Sequence, residues 1–177
     1  MADGRDGTLV EKCQAGEREA YAELVRLHAG RVYGICLAMV GSMSDAEDLA
    51  QEALVKGFIE IGSLRNPDRF GSWIGAIAGN LSRNFLRTRA NRERLLSMRA
   101  DCPAEGPERR SEDLTCALRK LPEKYRLPLV LYYFDSASTA SIASALGISP
   151  EAVRMRMCRA RIELRKLLEK MEAHDEN

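Results

Sequence analysis

The stretch Ser138–Leu164, STASIASALGISPEAVRMRMCRARIEL, decides how this chain is read. From Thr139 to Leu146 the residues are small, and Ile142, Ala143 and Leu146 share one face at helical spacing. Gly147 supplies a turn, Ser149 suits an N-cap, Pro150 the first helical position, and Glu151 the positive end of a second helix. In that second helix Val153, Met157, Ala160 and Leu164 fall on the face that packs inward. The opposite face is then fixed: it presents Glu151, Met155, Cys158, Arg159 and Ile162, flanked by Arg154. This is the helix-turn-helix arrangement, in which the second helix enters the major groove. Arg156 and Arg161 border the apolar face, placed for phosphates or for pairing within the protein. A merely amphipathic helix with a solvated basic face accounts for the arginines. It does not account for their coincidence with a small-residue helix, a glycine turn and a Ser-Pro start.

Composition bounds the rest. A chain of 177 residues with 45% hydrophobic and 30% charged residues is globular and long enough for one domain or two small ones. Net charge is only +1, so basic character is local. One basic stripe holds Arg83, Arg87, Arg89, Arg92 and Arg94; the other holds Arg154, Arg156, Arg159, Arg161, Arg165 and Lys166. Two separated stripes imply two contacts with a polyanion. The polar start Met1–Asp6 lacks the features of a signal peptide, and the apolar run Val32–Val40 is too short to span a bilayer, so a cytoplasmic protein without membrane insertion is expected. Cys13, Cys36, Cys102, Cys116 and Cys158 form no CxxC pair, and His28 lies far from His174 in sequence, so neither a metal site nor a cofactor is expected. Cys13 and Cys36 read as small apolar residues in a reducing compartment.

Helical periodicity dominates the chain and predicts an all-α fold. Helices are expected over Thr8–Cys13, Arg18–Val40 with a possible interruption at Gly30, Asp45–Ile61 capped by Ser44, and Gly71–Leu96. Between the last two, Gly62–Phe70 with Asn66-Pro67 reads as a loop. Ser97–Glu112, with Pro103, Gly106 and Pro107, reads as a flexible linker between two small helical domains, 1–96 and 113–177. Helices over Asp113–Lys120 and Pro122–Phe134 then lead into the helix-turn-helix. In DAEDLAQEA, Ala46, Leu49 and Ala53 form a buried stripe, while Asp45, Asp48 and Glu52 line the other side with Gln51 beside them. Taken alone, that stripe is a solvated acidic face near a helix start.

The order of features changes its meaning. DAEDLAQEA, FGSWIGAIAGNLSRNFLR, LPEKYRLPLVLYYF and IASALGISPEAVRMRMCRARIELRKLL, in that sequence, strongly resemble the bacterial sigma factors of the small extracytoplasmic-function type, from Leu9 to about Leu168. The resemblance implies a first helical domain that binds core RNA polymerase and melts the minus-ten promoter element, and a second that reads the minus-thirty-five element. It also implies promoter DNA and an anti-sigma factor as partners, with no catalytic residue in the chain. Carried over position by position, Asp48, Gln51 and Glu52 match the polymerase-contacting residues. Arg65, Asn66, Asp68 and Phe70, with Asn80, Arg83 and Arg87, match the part that captures a flipped minus-ten base and holds the melted strand. Arg154, Met155, Cys158 and Arg159 match the minus-thirty-five readers, with Arg156 and Arg161 beside them. Trp73 reads as core. Ala76 and Gly79 stand where relatives often carry larger or basic residues, which implies a softer melting helix, and Cys158 and Met155 imply apolar contacts to bases. Two rival readings are a stand-alone helix-turn-helix regulator and an interaction protein that sequesters a partner. The absence of an effector domain weighs against the first, and the intact basic stripes against the second.

Overall fold

The computed structural model describes residues 3–96, 109–135 and 138–175, and among them there are helices and no strand. The order is α1 (Asp3–Gln14), α2 (Arg18–Val40), α3 (Met43–Glu60), two 3-10 turns (Ile61–Ser63 and Pro67–Arg69), α4 (Phe70–Leu96), α5 (Arg109–Lys120), α6 (Glu123–Asp135), α7 (Thr139–Leu146) and α8 (Pro150–Asp175). Most of the expected linker, 97–108, lies outside the described residues; its last four positions belong to α5. No helix among the described residues is long and apolar enough to cross a membrane.

The N-terminal half is built on α2, which packs against α1, α3 and α4. It runs unbroken through Gly30, because Leu24, His28, Val32 and Ile35 are buried on both sides of the glycine and outweigh its helix cost of about 1 kcal/mol. Gly41, left-handed at φ 72°, ends it by donating its N–H to the Leu37 carbonyl. The cap of α3 is Ser42, not Ser44: the Ser42 hydroxyl accepts from the Asp45 N–H at 3.3 Å, so the helix starts two residues earlier than expected. Ala46, Leu49 and Ala53 are buried as their spacing requires. The segment read as a plain loop is tightened by its two 3-10 turns, the second capped by the Asn66 side chain accepting from the Asp68 N–H at 3.2 Å.

In the C-terminal half Ile142, Ala143, Val153, Met157 and Ala160 are buried, so both helices of the motif pack with the faces their spacing fixed. Ser149 caps α8, its hydroxyl accepting from the Ala152 N–H at 3.2 Å, and Gly147 takes the left-handed turn at φ 64°. Arg126 is buried and donates to the Arg119 carbonyl at 3.2 Å, closing the end of α5.

The two halves share one hydrophobic core. α6 lies across α2 and α4, α7 touches α4, and α5 touches α2. Glycines make this approach possible. A Cβ on Gly79 of α4 would stand 2.5 Å from Leu127 Cδ1, and one on Gly34 of α2 would stand 2.8 Å from the Phe134 ring. Arg31 Nε donates to the Phe134 carbonyl at 2.8 Å along the same seam. At Gly79 the space of the missing side chain is occupied by Leu127 of a partner helix.

Candidate functional site

Three surfaces carry the side chains singled out in the sequence. On α3, Asp48, Gln51 and Glu52 are exposed, and the ion pairs seen among the described residues of α3 involve Asp45 with Arg89 and Lys56 with Glu60, not Asp48 or Glu52. Asp45, at the head of the same stripe, is half-buried and faces Arg89 of α4 at 3.7 Å, so its charge is used inside the protein. One residue class was missed by sequence reasoning. Val55 and Ile59, 60% and 75% exposed, continue the acidic stripe into an apolar one at helical spacing from Glu52. Alternating small and large apolar residues in ALVKGFIE hid which of them face water.

The second surface is the turn before α4 and the helix itself. Arg65, Asn66 and Asp68 are exposed. Phe70 is not: it is fully buried, edge-on to Tyr21 and His28 and 5.9 Å from Trp73 by ring centroids. The expectation that Phe70 meets a base is therefore corrected. As the first residue of α4, it anchors the turn from beneath. Trp73 is half-buried against the core. Asn80 is half-buried, and its side-chain oxygen accepts from Arg83 Nη2 at 2.8 Å, which leaves its amide hydrogens as donors. Arg83 and Arg87 are exposed, at positions that put them on one side of α4 with Asn80. Phe70 and Asn80 are separated by about 15 Å of helix rise. The turn packs against α1 and also contacts α4, the helix that carries Asn80.

The third surface is the outer face of α8. Met155, Cys158 and Ile162 are exposed, with Arg154 and Arg159 beside them. Neither arginine hangs free: Arg154 Nη2 lies 2.6 Å from Glu151 Oε1, and Arg159 Nη1 reaches the Tyr125 hydroxyl at a long 3.4 Å. The backbone at the start of α8 holds the Glu151 carboxyl below its ordinary range, helped by the Ser149 hydroxyl and Arg154. The Arg159 guanidinium likewise lowers the Tyr125 phenol. Arg156 is half-buried, and Arg161 lies over the rings of Tyr132 and Tyr133, 5.8 and 5.9 Å from their centroids. For Arg161, pairing within the protein is what the structure shows. Behind α8, an apolar groove of about 560 Å³ opens between α5, α6 and α8, lined by Leu118, Val130, Leu164 and Leu168, with Arg161 and Arg165 at its edge. No cluster of three or more His, Cys, Asp or Glu side chains converges on a metal-sized site among the described residues.

The order of these surfaces matches known families. Residues 24–92 match the family described as sigma-70 region 2, and residues 111–164 the family described as sigma-70, region 4. The chain is 31% identical over 176 residues to the ECF RNA polymerase sigma factor SigW of Bacillus subtilis, covering 90% of this chain and 94% of that one. It belongs to the ECF sigma factors. The sigma factor is also 35% identical to SigE of Mycolicibacterium smegmatis, over 85% of its own length and 62% of the relative's. Its fold matches the solved structure of CnrH in complex with the cytosolic domain of CnrY with a TM-score of 0.73 and 26% identity, covering 94% of this chain and 98% of that one. The acidic stripe of α3, the turn and most of α4 fall in the region 2 match, and the outer face of α8 through Ile162 falls in the region 4 match.

Proposed function

We propose that this sigma factor recruits core RNA polymerase through α3, captures and melts the minus-ten element with the 65–69 turn and α4, and reads the minus-thirty-five element with α8. The observation that carries this reading is the presence, on one chain and in this order, of an unpaired acidic and apolar helix face, a polar turn leading into a basic helix, and an arginine-flanked recognition face. Each suits a different partner. Asp48 and Glu52 offer charge for a basic surface of polymerase, and Val55 and Ile59 offer apolar area beside it. Arg65, Asn66 and Asp68 offer donors and acceptors to an extruded base, after which the strand runs along Asn80, Arg83 and Arg87. Arg154 and Arg159 suit guanine edges, and Met155 and Cys158 suit a thymine methyl. The chain contributes no catalytic group; polymerase does the chemistry. It acts in the cytoplasm, and the apolar groove behind α8 suits a helix of an anti-sigma partner.

The packed arrangement is a resting one on this reading. Two promoter elements about 25 base pairs apart are separated by about 85 Å at a rise of about 3.4 Å per pair. A compact chain of this length has a radius of gyration of about 16 Å. The seam through Gly79 and Gly34 must therefore part before both elements are engaged.

The test is run-off transcription from a randomised promoter library with purified core polymerase. Specific transcripts that depend on the added protein, with base preferences in two separated blocks, are expected. DNA binding without polymerase dependence, as for a stand-alone regulator, overturns the proposal.

A further inference from the structure

We infer that α1 is a positioning element for the minus-ten turn, acting chiefly through Gln14, an inference that rests on the turn having the role proposed above. Gln14 Nε2 donates to two backbone carbonyls at once, Ile61 at 2.9 Å and Leu64 at 3.0 Å, across about fifty residues of sequence. Those two carbonyls belong to the first residue of the first 3-10 turn and to Leu64, which closes it immediately before Arg65. The other end of the turn is also held from α1. Asp6 Oδ2 and His28 Nε2 form a buried pair at 2.9 Å, and the His28 ring stands edge-on to Phe70, 5.2 Å between centroids. Gly7, one position on, allows the Asp68 side chain to approach so closely that any Cβ there would collide with it. Arg65, Asn66 and Asp68 are thus suspended between two fixed points, both supplied by a helix that precedes the matched region 24–92.

The physical consequence concerns preorganisation. Between the buried anchors Leu64 and Phe70 the turn exposes Arg65, Asn66 and Asp68, and an extruded base is read only where their donors and acceptors are held convergent. Two hydrogen bonds from one amide select that state before DNA arrives. Gln14 is exposed, and both of its side-chain hydrogen bonds among the described residues go to this turn.

The decisive variants are Gln14→Met, which keeps length without a donor, and Gln14→Lys, which keeps a donor able to reach two carbonyls. Each is assayed as holoenzyme with core polymerase, measuring initiation on promoters carrying each of the four bases at each minus-ten position, together with affinity for core polymerase. Gln14→Met is expected to reduce base preference at one or two minus-ten positions by about tenfold, the equivalent of about 1.4 kcal/mol, with polymerase affinity and minus-thirty-five preference unchanged. Gln14→Lys is expected to restore most of the preference. Wild-type preference in Gln14→Met, or equal loss in both variants, overturns the positioning role. A wild-type holoenzyme indifferent to all minus-ten bases overturns the proposed function itself, so the two failures are distinguishable.

Discussion

Replacing Gly79 by alanine tests whether the seam between the two halves is a true joint. The added methyl stands 2.5 Å from Leu127 Cδ1, and Leu127 is only 2% exposed, so its side chain has little room to turn away. Overpacking of this kind costs about 1–3 kcal/mol. Alanine also favours the interior of α4 by about 0.8–1 kcal/mol, but it does so whether the halves are packed or parted, so that gain cancels in the docking equilibrium. Docking should weaken by roughly 5- to 150-fold. Trp73, the only tryptophan, reports on α4 and the N-terminal half, whereas far-ultraviolet circular dichroism reports on every helix. In the wild type, urea unfolding followed by the two probes should coincide, as a shared core requires. In Gly79→Ala the dichroism transition should broaden and begin at lower urea than the tryptophan transition, because α5–α8 lose their cover. Coincident transitions with a midpoint at or above that of the wild type would mean that only the helix-propensity gain was felt, and the reasoning about the seam would be refuted.

Charge reversal in an Asp48→Lys, Glu52→Lys double variant should abolish co-purification with core polymerase while leaving the circular dichroism spectrum intact, since both side chains are exposed and surface changes usually move stability by less than about 0.5 kcal/mol. Arg154→Ala and Arg159→Ala should each reduce minus-thirty-five affinity by about 1–3 kcal/mol and relax base choice in a binding selection, whereas Arg156→Ala should weaken all sequences evenly. Tyr21, whose buried hydroxyl donates to the Leu54 carbonyl at 2.6 Å, has its phenol pushed up to about 12 by burial. The unfolded chain then loses that proton first, so folding stability should fall as pH rises from about 10 to about 12, and Tyr21→Phe should remove that part of the decline in urea titrations across the range.

The regular parts of this fold were legible because helical period and end signals agree. The buried faces of α3, α7 and α8 follow from spacing alone, and Ser149-Pro150 marks the start of α8 correctly. What the sequence left ambiguous was set by contacts far apart along the chain. Ser42 and Ser44 are equally good caps in composition; which one closes α3 depends on where the left-handed Gly41 releases the chain. Gly30 and Gly79 look alike as weak helix formers, yet nothing approaches the first within 4 Å while Leu127 fills the space beside the second. Phe70 next to a polar turn resembles a stacking platform until the rings of Tyr21, His28 and Trp73 are placed around it. Gln14 carries no local signal at all, because both of its acceptors are backbone carbonyls whose identity is independent of side-chain type.

At the glycine seam, Gly79 meets Leu127 and Gly34 meets Phe134, none of them residues of the α3 acidic face, the 65–69 turn or the outer face of α8. Its strength enters the behaviour of a sigma factor as one multiplier common to all promoters. If only a fraction of molecules is parted, apparent affinity for a promoter engaged at both elements is lowered by that fraction, whichever promoter it is. A substitution at Gly34 or Leu127 would therefore shift the dose-response curve along the concentration axis and leave the ranking of promoters untouched. Promoter choice and the amount of factor needed to act on it are set by separate residues and can diverge independently.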